Sequence, residues 1–387
     1  MSRVARVLML NYEFPPLGGG SGNATLHLLQ EMAGDGQLRI DLLTSGRSGR
    51  NEPSPILEAV RILRIPIRKR ETHFWTTREI VEWSARAVAR THALIRRNDY
   101  DLCHCWGGWP AGVIGQIHRR RFPYLVALRG SDVPGYNPRL RRIDPLLLRP
   151  VSRSVWSGAR VVTCVSEDLK DLARRTAPDV EYTVIRNGVD TERFRPSGAP
   201  GALEASGRLR VLFLGRLIER KGVGDLVEAF RTVAGRDPAI VLDIVGSGPE
   251  HGRLAARVRA AGLEERVHFH GAAGAEQVPA ALRSASIFVM PSVEEAMSNA
   301  ALEAMASGLP VITTRTGVAE VTDGNGFVVE RGKPDQIARA ILRYIQEPEL
   351  RERHGRRSRE IAETMSWRNV ADAYRQVYDR VLNRVRV

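Results

Sequence analysis

Short apolar runs rich in β-branched residues alternate with helical stretches along the whole 387-residue chain. This alternation constrains the fold strongly, because a strand–helix–strand repeat builds parallel sheets that are covered by helices. Most runs are continuously apolar, as expected for strands that are buried on both faces. The predicted strands are residues 5–12, 38–44, 60–67, 102–106, 124–129, 160–166, 182–186, 210–215, 239–246, 267–271, 286–292 and 310–314.

The strands form two groups, separated by the segment PSGAPGALEASG at 196–207. Its Pro, Gly, Ser and Ala content is typical of a linker. The chain is also longer than the roughly 100–200 residues of one domain. We therefore predict an α/β protein with two Rossmann-like, doubly wound domains at 1–195 and 208–366. An apolar stripe with helical spacing predicts a final helix over 367–387.

Composition excludes several classes of protein. With 43% hydrophobic and 26% charged residues, the chain is typical of a globular protein and is neither disordered nor fibrous. Its three cysteines are too few for a disulfide scaffold, which favours a reducing, cytoplasmic setting. No apolar run approaches the ~20 residues of a membrane span, and the run at 7–10 is too short for a signal peptide. We expect a soluble protein, which leaves attachment to a membrane surface open.

The net charge of +14 is concentrated in the first half of the chain. Residues 1–195 contain 31 Lys and Arg against 20 Asp and Glu, whereas residues 196–387 contain 27 against 24. A basic domain suggests nucleic acid, anionic lipid or a phosphorylated acceptor as partner; the alternative is an arginine-rich composition with solvated helix faces. A nucleic-acid binder would interleave aromatic residues with the cations, but only 6% of the residues are aromatic. We therefore expect no nucleic acid and keep an anionic membrane surface as a partner to be tested.

Ligands of open α/β sheets bind at the carboxyl ends of the strands, so the residues after each strand are candidates. After the first strand, Gly18, Gly19 and Gly20 precede a helix, where backbone N–H groups can approach an anion. The glycine spacing does not match the dinucleotide-binding fingerprint. A flexible turn before the helix is the alternative.

Two cations follow the first strand of the second group. Arg216 and Lys221 lie five residues apart, and Gly222 opens the next helix. From these positions, two cationic groups can hold a diphosphate from two sides. A solvated basic turn is the alternative.

Two carboxylates follow the strand at 286–292. Ser298 or Asn299 is predicted to cap the next helix. This places Glu295 in the loop before the helix and Glu303 within the helix. Carboxylates accept hydrogen bonds from paired hydroxyls, so one suits a sugar and the other a ribose. Simple solvation is the alternative for such a pair.

The segment PSVEEAMSNAALEAMASGLPVITT at 291–314 resembles the E-x7-E signature of family 4 retaining glycosyltransferases. Further parts of the chain are similar to the same family: the Gly-rich loop, VIRNGVDTERF (184–194), GRLIERKG (215–222), IVGSGPE (244–250), GNGFVV (324–329) and SWRNVADAY (366–374). The resemblance implies the GT-B architecture, in which two Rossmann-like domains face each other across a cleft and the last helix returns to the first domain. It also implies transfer of a sugar from a nucleotide-sugar donor with retained configuration, without a metal or another cofactor.

The resemblance also implies roles in binding the donor. Arg216 and Lys221 would hold the donor diphosphate. Backbone amides of Gly19 or Gly20 would join them, and Glu303 would bind the nucleotide ribose. The donor sugar would be held by Glu295 and the backbone amides of Ala296, Met297 and Ser298.

In the same family the N-terminal domain faces the acceptor. His104, just after the fourth strand, and Asp132 are therefore assigned to the acceptor side. Many family members have a histidine where this chain has Arg129, and that histidine commonly lies near the reacting sugar. Arg129 is predicted to act in the transfer by holding a phosphate or carboxylate of the donor or acceptor.

Two groups of residues have the types that bind metals. Asp99 and Asp101 match an Asp-x-Asp motif but precede a strand, so we interpret them as turn and cap residues. His268 and His270 share one face of a strand, but no third ligand follows, so we interpret them as packing or cleft-edge residues. We expect no metal site.

The leading hypothesis is a metal-independent retaining glycosyltransferase that acts on a glycan or a lipid-linked acceptor in cell-surface polysaccharide or glycolipid biosynthesis. We expect it in the cytoplasm, with peripheral attachment to the inner face of the membrane left open. The alternative is a sugar-nucleotide epimerase or a phosphorylase of the same architecture, although a phosphorylase would need a cofactor lysine and a much longer chain.

Overall fold

The computed structural model describes residues 4–34, 36–47, 59–69, 72, 75–137, 143–196 and 208–383. The chain divides into two compact units, Met1–Asn187 with Trp367–Val387 and Gly188–Ser366. The division falls between Asn187 and Gly188, ahead of the predicted linker at 196–207. Of that linker, only Pro196 belongs to the described residues.

The first unit contains a parallel sheet of seven strands. Its strands are β1 (Ala5–Leu10), β2 (Leu38–Gly46), β3 (Val60–Pro66), β4 (Leu102–Trp106), β5 (Tyr124–Leu128), β6 (Val161–Cys164) and β7 (Tyr182–Val184). They lie in the order β3-β2-β1-β4-β5-β6-β7. The order reverses between β1 and β4, and ligands of open α/β sheets bind beyond the carboxyl ends of the strands at such a point.

The second unit repeats this plan with six parallel strands. They are β8 (Arg210–Leu214), β9 (Val241–Val245), β10 (Val267–Gly271), β11 (Ile287–Met290), β12 (Val311–Thr314) and β13 (Gly326–Val329). Their order is β10-β9-β8-β11-β12-β13, with the reversal between β8 and β11. The prediction of two doubly wound parallel-sheet domains is therefore confirmed.

Helices connect the strands of each sheet. They are α1 (Gly20–Met32), α2 (Thr77–Ile95), α3 (Ala111–Ile117), α4 (Arg149–Gly158), α5 (Glu167–Arg174), α6 (Val223–Ala234), α7 (His251–Ala260), α8 (Val278–Arg283), α9 (Asn299–Ala306), α10 (Pro334–Gln346), α11 (Pro348–Thr364) and α12 (Trp367–Asn383). Local signals set their starts: the Thr76 hydroxyl accepts the Glu79 N–H at 3.3 Å and the Glu79 carboxylate accepts the Thr76 N–H at 2.8 Å, which forms a capping box at α2.

The last helix, α12, belongs to the first unit, as predicted. It packs against α1. Its buried stripe, with Val370, Tyr374 and Val377, lies in the same apolar cluster as Val7 and Met9 of β1. The residues beyond 383 lie outside the described part of the chain.

Each predicted strand coincides with an observed strand, but β13 was not predicted. Only Val329 of its four residues is buried, so the segment has no continuous apolar run. Gly326 pairs with Val311 of β12, and a Cβ atom at Gly326 would lie 2.0 Å from the Val311 carbonyl oxygen. The strand therefore depends on a close backbone contact that an apolar pattern does not reveal.

Candidate active site

The backbones of the loops after β8 and β9 are in close contact at the carboxyl end of the second sheet. Gly246 has a φ of +150°, and a Cβ atom there would lie 1.8 Å from the Gly215 carbonyl oxygen. The Leu217 N–H donates to the Ser247 carbonyl at 2.9 Å. These contacts require glycine at position 246 and fix the backbone that carries Arg216.

The loop after β8 also contacts the loop after β11. Gly222 adopts a φ of +65°, and a Cβ atom there would lie 2.0 Å from the Pro291 carbonyl oxygen. The Val293 N–H donates to the Arg220 carbonyl at 2.8 Å. The two loops thus hold Lys221 next to the residues that follow Pro291.

Lys221 and Glu295 form an ion pair between Nζ and Oε2. Both side chains are recessed, with exposed fractions of 11% and 13%. Burial alone would raise the pKa of Glu295, but the nearby charges of Lys221, Arg220 and Arg216 lower it overall. The structure thus brings three cations to one ionised carboxylate, an arrangement in which an anionic ligand can compete with Glu295 for Lys221.

Arg220 is the member of this cluster that the sequence analysis did not select. It lies between the two predicted cations in the same motif, and its charge lowers the pKa of Glu295. Its position directly before Lys221 was the available signal. Spacing alone did not show that both arginines act on the carboxylate.

The start of α9 lies directly after Glu295. Ser298 is the cap, since its Oγ accepts the Ala301 N–H at 3.3 Å. The Gly317 N–H donates to the Glu295 carbonyl at 3.0 Å, which fixes the loop. The side chains of Ala296 and Met297 are buried, so a ligand at this helix terminus would meet their backbone. The positive end of the helix dipole favours an anion or a developing negative charge here.

Glu303 lies on α9, half-buried, and its carboxyl group accepts no hydrogen bond from the described part of the chain. Burial raises its pKa to about 7, although the charge of Arg193 opposes the shift. Arg193, which the sequence analysis did not select, donates to the Ala275 carbonyl at 2.7 Å. The Glu303 carboxyl group is thus available for hydroxyl groups of a ligand.

In the first unit, the Gly-rich loop forms the start of α1. Gly18 has a φ of +112°, and a Cβ atom there would lie 2.7 Å from Cβ of Glu13. Gly19 is the N-cap, and a Cβ atom there would meet nothing within 4 Å. No described side chain caps this helix, and the Gly19 N–H donates weakly to Glu13 Oε2 at 3.4 Å. Gly19 therefore borders open space at a helix N-terminus, and Gly20 is the first residue of α1.

Arg129 follows β5, as predicted, but its side chain contacts groups of the chain itself. Its Nη2 donates to Asn187 Oδ1 at 2.5 Å, and its guanidinium lies 4.3 Å from the centre of the Trp106 ring. It also forms a hydrogen bond with Tyr374 of α12, and burial lowers its pKa. These contacts join β5, the end of the first unit and α12. A role of Arg129 in transfer stays a prediction.

Asp132 is almost fully buried, and backbone amides take up both of its carboxylate oxygens. Oδ2 accepts the Gly108 N–H at 2.6 Å, and Oδ1 accepts those of Gly130 and Arg129 at 2.7 and 2.9 Å. Asp132 therefore ties the loop after β4 to the loop after β5. These contacts give Asp132 a structural role, and its assignment to the acceptor side stays a prediction.

The predicted position of His104 just after the fourth strand is wrong, because the residue lies inside β4 and is completely buried. Its Nδ1 is 2.8 Å from the Tyr378 hydroxyl of α12, and its ring packs against Trp106 and Tyr374. Burial, assisted by the charge of Arg129, lowers its pKa to about 3, so the ring is neutral. No surface of His104 is left for an acceptor.

The two histidines of β10 do have a third polar neighbour, which corrects the expectation that none follows. Asp243 of β9 lies directly opposite His268. Its Oδ1 is 2.7 Å from His270 Nε2 and 3.4 Å from His268 Nδ1. Residue types and distances suit a metal ion, but Arg210 already compensates the charge of Asp243, with Nε 2.9 Å from Oδ2. Asp243 belongs to the neighbouring strand β9, so the spacing of residues along β10 could not reveal its contact with the histidines.

Asp101 of the Asp-x-Asp motif has the structural role that was predicted for it. The Asp101 carboxylate accepts the Arg6 N–H at 2.8 Å, and the Asp101 N–H donates to the Arg6 carbonyl at 2.9 Å. Asp101 therefore pairs with the backbone of β1 at the turn before β4. This is the structural role that its position before a strand indicates.

The fold is that of GT-B glycosyltransferases. The structure of sucrose-phosphate synthase from Thermosynechococcus elongatus matches 98% of this chain and 99% of its own, with a TM-score of 0.84 and 22% sequence identity. The structure of Anabaena HepE, solved with UDP and glucose, matches 96% of this chain and 98% of its own, with a TM-score of 0.74 and 18% identity. At these identities the comparison shows the fold.

Sequence comparison shows the family. Residues 18–193 match the family described as Glycosyltransferase Family 4, and residues 208–347 match Glycosyl transferases group 1. A D-inositol 3-phosphate glycosyltransferase of Streptomyces griseus subsp. griseus is 30% identical over 355 residues, which cover 78% of this chain and 73% of the relative. The chain belongs to the family 4 (group 1) glycosyltransferases and is a glycosyltransferase. This agrees with the leading hypothesis at the level of the enzyme class.

Proposed function

We propose that the protein transfers a sugar from a nucleotide-sugar donor to a glycan or lipid-linked acceptor, with retention of the anomeric configuration. The observation that carries the proposal is the cluster of Arg216, Arg220 and Lys221 around Glu295, directly before α9. Glu303 on α9 adds a recessed carboxyl group that accepts no hydrogen bond from the described residues. Diphosphate, sugar and ribose each find a matching group here.

The chemistry follows from the charges of this cluster. Departure of a nucleoside diphosphate develops negative charge, and preorganised cations and helix N-terminal amides stabilise that charge. A donor phosphate would take Lys221 from Glu295, and the freed carboxylate would accept hydrogen bonds from sugar hydroxyls. Glu303 would bind the ribose diol. Arg216 and Lys221 would supply the positive charge that a divalent metal supplies in other transferases, so no metal is required.

Two comparisons support the classes of donor and acceptor. The HepE structure holds UDP and glucose, which supports a nucleoside diphosphate hexose as donor. The Streptomyces relative is named for inositol 3-phosphate, which carries an anionic phosphate group, and the excess of basic residues at 1–195 suits an anionic acceptor. We place the reaction in the biosynthesis of cell-surface polysaccharide or glycolipid, in the cytoplasm and at the inner face of the membrane. Within the described residues, no helix is long and apolar enough to cross a membrane.

A thermal-shift screen against nucleoside diphosphates and their sugar esters tests the donor site. A ligand at 100 times its Kd stabilises the folded state by about 2.7 kcal/mol, which ranks the candidates. We expect at least one nucleoside diphosphate to raise the Tm, and Glu303→Gln to reduce that shift. Arg231→Ala, an exposed change on α6, is the control that should leave it unchanged.

The stereochemistry is tested on the product of the best donor, whose anomeric configuration is read by NMR coupling constants. A product with the donor's configuration supports retention. An inverted product contradicts it. If no nucleotide at millimolar concentration shifts the Tm, the proposed donor site itself fails.

A further inference from the structure

Several exposed apolar side chains lie on one surface of the first unit. Exposed apolar patches of this kind usually mark a site of interaction with a protein or a membrane. Leu146 is 88% and Leu147 56% exposed, and both lie in the helical turn Asp144–Leu148 that precedes α4. Val81 of α2, Ile117 of α3 and Val151 of α4 are 62%, 57% and 37% exposed. These five residues, with the arginines named below, are called the α2–α4 surface.

Two neighbouring depressions make the α2–α4 surface continuous. The first, of about 430 Å³, lies between α2, α3 and the start of α4, and Val81 and Leu147 are among its lining residues. The second, of about 640 Å³, borders Ile117 and lies between α3 and α4. Val113 and Val151 line both. Val81, Leu147, Ile117 and Val151 therefore belong to one patch, and Leu146 precedes Leu147 in the same helical turn.

Exposed arginines occur in and directly after the segments that form this patch, and two of them, Arg119 and Arg120, line the second depression. These arginines are Arg119, Arg120, Arg121, Arg149, Arg153 and Arg160. Within 111–121 and 143–160, Asp144 is the acidic residue; it is buried, and its Oδ2 accepts the Gly135 N–H at 2.7 Å. Arg153 pairs with an exposed residue of another segment, Asp179, at 3.2 Å. The surface thus combines protruding leucines with an excess of positive charge.

We infer that the α2–α4 surface binds the interface of an anionic phospholipid bilayer. Leu146 and Leu147 enter the boundary between headgroups and acyl chains, and the arginines contact lipid phosphates. An apolar face rimmed by Arg binds such an interface through buried area and electrostatic attraction together. A second copy of this chain docked on the same patch would bring arginines against arginines, which disfavours self-association. The α2–α4 surface would attach the protein to the membrane at which the proposed function, on which this inference rests, takes place.

Sedimentation of the full chain with vesicles tests this inference. We expect binding to vesicles of phosphatidylcholine mixed with phosphatidylglycerol, little binding to phosphatidylcholine alone, and weaker binding at high salt. Leu146→Glu combined with Leu147→Glu should reduce binding at least tenfold. Arg120→Ala and Arg149→Ala should each weaken it about fivefold, the change expected for one cation near an anionic surface.

Two matched controls lie in the second unit. Val328→Glu changes an apolar residue that is 41% exposed, and Arg356→Ala removes an exposed cation of α11, so neither should alter vesicle binding. Equal binding of the leucine double variant and the unchanged protein would overturn the inference, as would equal binding to neutral and mixed vesicles. So would a dimer in analytical ultracentrifugation that the leucine variant abolishes, because a second copy would then be the partner.

The same variants are tested for the nucleotide-induced shift in Tm. That shift reports the donor site in the second unit and should persist in the leucine double variant. Loss of vesicle binding with an intact shift locates the effect at the α2–α4 surface. If the protein binds vesicles but no nucleotide raises its Tm, the proposed function is contradicted while lipid binding by the α2–α4 surface is still supported.

Discussion

At the scale of single residues, the Lys221–Glu295 ion pair is the centre of the candidate site. Two side chains that were assigned separate ligands, a diphosphate and a sugar, contact each other in the structure. A buried ion pair is costly to break by removing one partner, because the other charge then stays without compensation. Lys221 and Glu295 thus compensate each other's charge until a ligand replaces one of the two partners.

The first prediction concerns Arg216 and Lys221. Alanine at either position should lower the rate of sugar transfer by about 10²–10³, the usual effect of removing a preorganised group that stabilises a developing anion. Since both act on one diphosphate, the double variant should lose less than the product of the single losses. Steady-state kinetics with the donor identified by thermal shift measure this.

Arg236→Ala, an exposed change after α6, is the control for these variants. Chelators should not mimic either substitution if the two cations take the place of a metal. A rate that EDTA abolishes and a divalent ion restores would contradict this assignment. It would then direct attention to other ligands, such as Asp243 and its two histidines.

The second prediction concerns the pH dependence that Glu303 produces. Its pKa in the folded protein, about 7, lies above the ordinary value of 4.5, so the folded state holds a proton that the unfolded state releases. The contribution of Glu303 to stability is fully present below pH 4.5 and is lost as the pH rises through 7. Glu303→Gln should therefore have a higher Tm than the unchanged protein at pH 8 and a similar Tm near pH 4.5.

Thermal unfolding at a series of pH values measures this difference. Glu228→Gln, an exposed carboxyl group of α6, is the matched control and should give a difference that is small at every pH. A Tm difference for Glu303→Gln that does not change between pH 4.5 and 8 would contradict the raised pKa.

At the scale of elements, the carboxyl end of β5 and helix α12 act together. Arg129 joins them through Asn187, Tyr374 and the Trp106 ring. His104 of β4 joins α12 through Tyr378. Two polar residues that were predicted to act on the donor or acceptor, Arg129 and His104, thus contact other residues of the first unit.

The third prediction follows for Arg129→Ala. The substitution leaves the buried Asn187 amide and the Tyr374 hydroxyl without a charged partner, which costs about 1–3 kcal/mol. The Tm and the free energy of unfolding should both fall, and turnover should fall as well if Arg129 also acts in transfer. Urea unfolding and steady-state kinetics on the same preparation measure the two effects.

The control is Arg175→Ala, which removes an exposed arginine after α5. An unchanged Tm for Arg129→Ala would mean that its contacts contribute nothing to stability. An unchanged turnover with a lower Tm would limit Arg129 to a structural role.

At the scale of the whole molecule, the predictions of strands and helices were correct where a pattern in consecutive residues is sufficient to define the element. Continuous apolar runs predicted all the strands of the first sheet and all but β13 of the second, and an apolar stripe predicted α12, because each pattern is local. The burial of His104 was not accessible in this way, since its partner Tyr378 lies 274 residues further along the chain. The contact of Asp243 with His270 likewise joins neighbouring strands, 27 residues apart in sequence. Exposure and pairing of single polar groups depend on such tertiary contacts.

The fourth prediction concerns a chain that ends at Ser366. Without α12, β1 and α1 lose contact with several buried side chains, among them Tyr374, Val377 and Tyr378. Each such side chain contributes about 1.5–3 kcal/mol when buried, so the total approaches the ~5–15 kcal/mol stability of a typical domain. The first unit should unfold at a much lower temperature, while Gly188–Ser366 should keep its Tm and its nucleotide-induced shift.

Differential scanning calorimetry of the shortened and the full chain separates these transitions. Arg380→Ala in the full chain, an exposed change on α12, should leave both unchanged. A shortened chain whose calorimetric profile equals that of the full chain would contradict the role given to α12.

The place of α12 in the first unit also has a consequence for protein synthesis. Ribosomes complete Met1–Asn187 early but make Trp367–Val387 only after all of Gly188–Ser366. At roughly 5–20 residues per second, the nascent first unit waits on the order of ten seconds for the helix that covers its apolar surface. During that interval the uncovered β1 and α1 are a natural site for a chaperone, and the second unit can complete its folding before the first.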